Sequence, residues 1–262
     1  MKDIHMNSIR TIDRAIDVLQ AFSAKSTALT IEEISKISNI PKNTVYRILY
    51  TFERRGLVQF DADALTYHPG LRLLEFSMLK SSTLDVRQEA EPFLEELHSL
   101  TNETVLMALP EENEIFYVFK KENENHEGLK VNTLVGVRRP YLYGVLGQAI
   151  LSFLPEKQIE RVLSIPPQPH TLHTVTDAAR IRERLKQIKR ERVFVQSNET
   201  SLGVTGISAP VFDMNGNVAA AIAIVGPEVH LHDQLEAMRN LVIETSNKIS
   251  SKMGCSMTET IR

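Results

Sequence analysis

The chain has 262 residues, 42% of them hydrophobic and 24% charged, enough for one large or two modest domains at about 150 residues each. A net charge of −3 provides no global attraction for nucleic acid, so any DNA contact must come from a local patch. The longest apolar run, Val218 to Val225, is far shorter than the roughly 20 residues that span a bilayer. MKDIHMNSIR lacks a signal-like apolar segment and the single cysteine, Cys255, excludes an intramolecular disulfide framework, so a cytoplasmic protein without a membrane partner is expected.

Ile9, Ile12, Ile16 and Leu19 recur at helical spacing and predict a first helix over Ser8 to Phe22. Thr30-Ile31-Glu32-Glu33 has the form of a capping box, in which the Thr30 hydroxyl and the Glu33 carboxylate satisfy each other's free backbone donors. Ile31, Ile34 and Ile37 then form the apolar face of a short second helix, broken at Ser38-Asn39.

The stretch Ile40 to Gly56, IPKNTVYRILYTFERRG, separates most cleanly into two faces. Pro41 suits the first helical position and Gly56 the left-handed residue past the end. Val45, Ile48, Leu49 and Phe52 make a buried stripe, leaving Lys42, Asn43, Thr44, Tyr46, Arg47 and Arg54 outside. These six offer cations to phosphates and amide, hydroxyl and guanidinium groups to base edges. Four cations against Glu53 make a local charge of +3, a modest patch that a dimer would double. Leu57 to Phe60 and Leu65 to His68, around Asp61-Ala62-Asp63, read as a hairpin stopped by Pro69-Gly70. Such a hairpin after a basic second helix makes a winged helix-turn-helix, whose acidic wing is left out of the strong contacts.

Leu71, Leu74, Met78 and Leu79 fit a connecting helix, Gly70 to Ser82. Phe93, Leu94, Leu97 and Leu100 pack a further helix, Leu84 to Leu100, which begins or kinks at Pro92. Thr104 to Leu109 and Ile115 to Phe119 read as an antiparallel hairpin, Lys120 to Leu129 as a mobile polar loop, and Val131 to Val137 as a third strand closed by Arg138-Arg139-Pro140. Gly144 to Leu154 begins with two glycines three apart but lacks the lysine and hydroxyl of a phosphate loop. The glycines let a helix start press against either a structural neighbour or a small ligand. Ile159, Val162 and Leu163 continue a helix that ends before Pro166-Pro167, and residues 178 to 192 form a basic surface helix with a solvated face. In Gly206 to Pro227 two apolar strands flank Asn215-Gly216, the dipeptide suited to a type I′ turn, with Val218 to Val225 as a central buried strand. Leu235, Met238, Leu241, Val242 and Ile249 form a closing helix. Helices interleaved with antiparallel hairpins predict an α+β sensor domain of the GAF and PAS kind.

No catalytic constellation stands out. Ser208 lies in GISAP, without the G-x-S-x-G elbow, and Cys255 has no base partner. His170-x-x-His173 and His230-x-His232 have zinc-like spacing but sit in loop-like, proline-flanked segments, so no metal, cofactor or catalytic residue is expected.

The stretches SIRTIDRAIDVLQAF, LTIEEISKISNIPKNTVYRILYTFERRGLV, LGVTGISAPVFD and NGNVAAAIAIVGP together resemble the isocitrate lyase regulator (IclR) family of bacterial transcription factors, over nearly the full chain. The resulting domain plan is a winged helix-turn-helix over 1–69, a linker helix over 70–82, and an effector-binding domain over 83–262. The resemblance implies that Lys42, Asn43, Thr44, Tyr46 and Arg47 enter the major groove, that the linker and first helix pair two subunits, and that the assembly is a homodimer or a homotetramer built as a dimer of dimers. It also implies an effector pocket at Val145, Leu146, Gln196, Gly206, Ile207, Ala223 and Val225. Family members that bind small hydroxy or oxo acids place serines on the last strand and an acidic residue near Gln196, whereas this chain has Ala223, Val225 and a neutral amide. Fewer fixed polar groups favour a larger or more apolar organic acid. The expected function is a ligand-responsive regulator binding a pseudo-palindromic operator, with repression as the expected sign although no residue reports it. The alternatives are a sensor acting through a protein partner and a metal-dependent enzyme on the same fold.

Overall fold

A computed structural model describes residues 8–23, 26–78, 81–122 and 134–255, and the chain divides into two units, Met1–Ser81 and Ser82–Arg262. Unit one contains α1 (Arg10–Gln20), α2 (Ile31–Ser38), α3 (Lys42–Arg54), β1 (Val58–Asp61), β2 (Thr66–Pro69) and α4 (Arg72–Met78). Its core gathers Val18, Leu29, Ile34, Ile40, Val45, Leu49, Val58 and Tyr67. The capping box forms: the Glu33 N–H donates to Thr30 Oγ1 at 3.3 Å and the Thr30 N–H to Glu33 Oε2 at 2.8 Å. Hydrogen bonds from Thr30, the backbone one foremost, hold the Glu33 carboxyl below its usual range. Asn39, at φ 54°, turns the chain out of α2, and Gly56, at φ 70°, turns it out of α3. Pro41 stands one residue before α3, where its carbonyl accepts from the Thr44 and Val45 N–H groups.

The wing is an antiparallel pair running from Val58↔Pro69 to Asp61↔Thr66. Leu29 also exchanges two backbone hydrogen bonds with Tyr67, tying the segment before α2 to the wing. Asp61 Oδ1 accepts from the N–H groups of Ala64, foremost, and Asp63, which keep its carboxyl below the usual range. That acid organises the wing turn.

The first helix differs from a simple core helix. Val18 and Ala21 are buried, but Ile9, Ile12 and Ile16 are 64%, 53% and 47% exposed. At about 100° per residue, this stripe lies roughly a third to a half turn round the helix from Val18. Ile37, Leu71, Leu74 and Phe76 are exposed too. The side chain of Met78, and Leu79 altogether, lie outside the described residues.

Unit two opens with α5 (Ser81–Thr101) and contains β3 (Thr104–Pro110), β4 (Glu114–Lys121), β5 (Arg138–Pro140), α6 (Gly144–Leu151), α7 (Glu156–Leu163), α8 (Ala178–Glu191), β6 (Phe194–Ser197), β7 (Val204–Phe212), β8 (Val218–Pro227), the single turn α9 (Glu228–Leu231) and α10 (Leu235–Lys252). The strands form one antiparallel sheet in the order β5-β4-β3-β8-β7-β6. One face packs against α6, α7 and α8, the other against α5 and α10. β8 is buried almost throughout because both faces are covered, as its continuous apolar run requires. Among the described residues no helix is long and apolar enough to cross a membrane.

Several expectations are corrected here. α5 begins at Ser81 and continues through Pro92 instead of starting there, since Pro92 and Gln88, whose carbonyl loses its partner, are both exposed to water; Leu100 is exposed rather than core. The third strand is Arg138–Pro140, paired with Glu114–Phe116, whereas residues 134–137 turn through Gly136 at φ 88°. Residues 131–133, and 123–129 of the polar loop, lie outside the described residues; Lys120 and Lys121 extend β4. The turn at Asn215-Gly216 is not type I′, since only Gly216 has a positive φ, 76°. The Gly216 N–H donates to the Asp213 carbonyl at 3.0 Å and the Asp213 N–H to the Asn217 carbonyl at 2.9 Å, giving a three-residue loop closed by a left-handed glycine.

Candidate DNA-binding helix and effector site

With Val45, Ile48 and Leu49 against the core, helical spacing puts Asn43, Arg47, Tyr50 and Arg54 on the opposite face of α3, and all four are exposed. Tyr46, 54% exposed, flanks this row on one side, and Thr44 and Thr51 flank it on the other. Arg47 and Arg54 make no ion pair among the described residues; the Arg54 guanidinium lies 5.9 Å from the centre of the Tyr50 ring. Lys42 is different. Its Nζ is 2.9 Å from Glu32 Oε1 on α2, and that contact, by hydrogen bond and then by charge, holds the Glu32 carboxyl below its usual range. Lys42 thus braces the two helices, while the other predicted residues stay free of ion pairs.

Two further candidates were not anticipated. Tyr50 is 52% exposed and falls seven residues after Asn43, a spacing that could have disclosed it. Arg14 of α1 lines a cleft of about 460 Å³ with Thr11, Thr44, Arg47 and Thr51. No local pattern in α1 signals this; packing of α1 beside α3 brings the two arginines together.

The predicted effector residues, apart from one, gather on the α6 face of the sheet. Gln196, Gly206 and Val225 are side by side across β6, β7 and β8, and the next row holds Phe194, Ser208 and Ala223. Val145 and Leu146 on α6 cover these rows. Ile207, one residue from Gly206, points to the opposite face and packs with the α5 and α10 core, as the two-residue period of a strand demands. A Cβ on Gly206 would stand 3.0 Å from Val145 Cγ2, so glycine is what lets α6 settle on the sheet. Gly147 likewise faces a structural neighbour, for a Cβ there would meet the Tyr141 carbonyl oxygen at 2.2 Å.

Polar groups are few at this site. Gln196 is only 7% exposed and its side chain makes no hydrogen bond among the described residues. The Ser208 hydroxyl donates to the Val145 carbonyl at 3.0 Å. Nearby, Arg184 of α8 turns inward to a two-pronged ion pair with Glu199, at 2.8 and 3.1 Å, and donates to Gln148 Oε1 at 3.3 Å. The basic surface helix therefore carries one cation that belongs to the interior, which charge patterning alone did not separate from its solvated neighbours.

The Ser208 proton is committed to a carbonyl, and Cys255 is packed in the core. Among the described residues no three His, Cys, Asp or Glu side chains converge. His230 Nδ1 instead lies 3.1 Å from Glu103, and His170 meets the Tyr143 ring edge-on.

The two-part geometry has counterparts. Residues 11–62 match the IclR helix-turn-helix domain and residues 78–251 the bacterial transcriptional regulator IclR C-terminal domain. The chain is 30% identical to the HTH-type transcriptional regulator KipR of Bacillus subtilis over 95% of this chain and 98% of that protein. It is 26% identical to the HTH-type transcriptional repressor AllR of Salmonella typhimurium over 94% of this chain and 90% of that one. Its fold is similar to the crystal structure of an IclR homolog complexed with 4-hydroxybenzoate from Microbacterium hydrocarbonoxydans, with a TM-score of 0.84, 26% identity, and 93% and 98% of the two chains covered. A capped helix-turn-helix with a wing, an antiparallel sheet with helices on both faces, and matches to both family domains place this chain in the IclR family of bacterial transcriptional regulators.

Proposed function

We propose that the chain is a ligand-responsive repressor whose α3 reads operator DNA through Asn43, Arg47, Tyr50 and Arg54, flanked by Thr44 and Tyr46. The observation that carries this reading is the exposed row on α3, paired with no carboxylate among the described residues and held by a capped helix on one side and a wing on the other. Arg47 has the geometry for guanine edges and Asn43 for adenine. Arg14 and Arg47, with three hydroxyls between them, suit a backbone phosphate. Lys42 contributes less, since Glu32 already holds it.

A homodimer supplies two such helices to half-sites about one helical turn of DNA apart, and the exposed Ile9, Ile12 and Ile16 stripe is apolar surface that a second subunit would cover. The effector is a mostly apolar organic acid on the α6 face. Support comes from Gln196, largely buried and without a side-chain hydrogen bond among the described residues, beside Val145, Ala223 and Val225, and from the 4-hydroxybenzoate held by the Microbacterium homologue. Electrophoretic shift of the full-length protein on DNA upstream of its own gene, with and without 4-hydroxybenzoate, tests both halves. The expected result is a shift on that DNA in excess of scrambled competitor, altered by the acid. Equal shifts on upstream and scrambled DNA would refute operator binding; a specific shift indifferent to the acid would refute only this effector class.

A further inference from the structure

We propose that the cavity beside β5 is a second ligand site, distinct from the effector rows, and that it takes a planar aromatic carboxylate. The cavity, of about 860 Å³, lies between the β5–α6 connection and the segment following α7, and shares no lining residue with the Gln196 and Ser208 rows. Its size falls within the roughly 300–1,000 Å³ range of small-molecule sites. The sequence features that build it, Arg138-Arg139-Pro140 and Pro166-Pro167, have no part in the DNA-binding reading.

The chemistry of the wall points to the ligand. The Arg139 guanidinium lies 5.3 Å from the centre of the Tyr143 ring, and the His170 ring meets that same tyrosine edge-on at 4.9 Å. Arg139 makes no hydrogen bond or ion pair among the described residues, and its Nε is sealed from solvent without a partner. A half-buried cation supported only by an aromatic face lacks the anion that would normally accompany it. Arg161, by contrast, is already paired with Glu112 at 3.3 Å. Val162 and Pro166 form an apolar wall against which a ring could lie. Glu114 also lines the cavity, so a single negative charge suits it better than two. One carboxylate on Arg139 and one ring along Tyr143 and Pro166 satisfy all of these groups together.

The chain contains no tryptophan, so Ile165→Trp installs a background-free reporter in the cavity lining at a side chain that is already exposed. Titration of this full-length variant with benzoate should change its tryptophan emission saturably. Arg139→Gln should raise the midpoint roughly 10-fold or more, with Arg139→Lys between the two, because lysine keeps the charge but loses the planar fork. Ala223→Leu, which fills the effector rows, should leave the midpoint unchanged. Should the tryptophan perturb folding, ligand-detected NMR of benzoate with the reporter-free Ala223→Leu protein, whose effector rows are filled, provides the same comparison with and without Arg139→Gln. No saturable binding, or binding indifferent to Arg139→Gln, would overturn the proposal. Binding abolished by Ala223→Leu alone would also overturn it, by moving the ligand to the effector rows and leaving the effector reading intact.

Discussion

Arg47 and Lys42 stand five residues apart on one helix, yet their surroundings assign them different work. Arg47 is exposed without an ion pair, so Arg47→Ala should weaken specific binding by about 1–3 kcal/mol and relax base preference at one position, measured by fluorescence anisotropy against specific and random duplexes. Lys42 is engaged by Glu32 from the preceding helix, so Lys42→Ala should cost less affinity than Arg47→Ala in the same assay. The α3 face was legible because helical spacing is a local property. The Lys42 pairing was not, because its partner sits on another helix, and Ile207, carried over from the resemblance, faces away from the other effector positions because strand alternation sends neighbours to opposite faces. Gly147 was read as a point of close approach without knowledge of what approaches; the Tyr141 carbonyl does. Gly147→Ala should therefore destabilise unit two by about 1–3 kcal/mol or more, seen as a lower denaturation midpoint in urea.

At the scale of an element, α2 shows what a cap contributes. Thr30→Ala removes the side-chain acceptor and should lower the stability of unit one by about 1 kcal/mol in chemical denaturation. The same box makes stability depend on pH. Since folding lowers the Glu33 pKa, its contribution is present above the unfolded value of about 4.3 and is lost as pH falls through the folded value. Glu33→Gln, which removes the titrating carboxylate, should flatten that acid limb, and an unchanged acid dependence would contradict the linkage. Helix α1 shows where periodicity stops. The recurrence of Ile9, Ile12 and Ile16 identifies an apolar stripe but not what it meets, and in the single chain it meets no core. Ile12→Asp should preserve the fold and shift sedimentation toward monomer; an unchanged oligomer would remove α1 from the subunit interface.

For the whole molecule, the sheet order carries the least local signal. The β3 to β8 pairing joins Thr104–Ala108 with Ala221–Val225, and no turn or spacing in the sequence announces that match. A capped helix pair with a wing and a hairpin-rich remainder differ in periodicity, which is the basis of the two-part plan; the contacts divide the chain at Ser81, so the helix set apart as a linker falls with the first unit. With a net charge of only −3, DNA affinity on the proposed reading comes from local cations, Arg47 and Arg54 of α3 and Arg14 of α1, doubled where two copies pair, so it should fall steeply with salt as condensed counterions are released. On the proposed reading, an effector in unit two changes operator affinity only by preferring one of the arrangements open to the protein, and the coupling must be reciprocal. The claim that α3 reads DNA as a pair is tested most directly by selecting full-length protein against a library of random duplexes. The prediction is enrichment of an inverted repeat, with the base preference at one position of each half-site lost for Arg47→Ala. Retained duplexes without a shared motif, bound no more tightly than the starting pool, would contradict it.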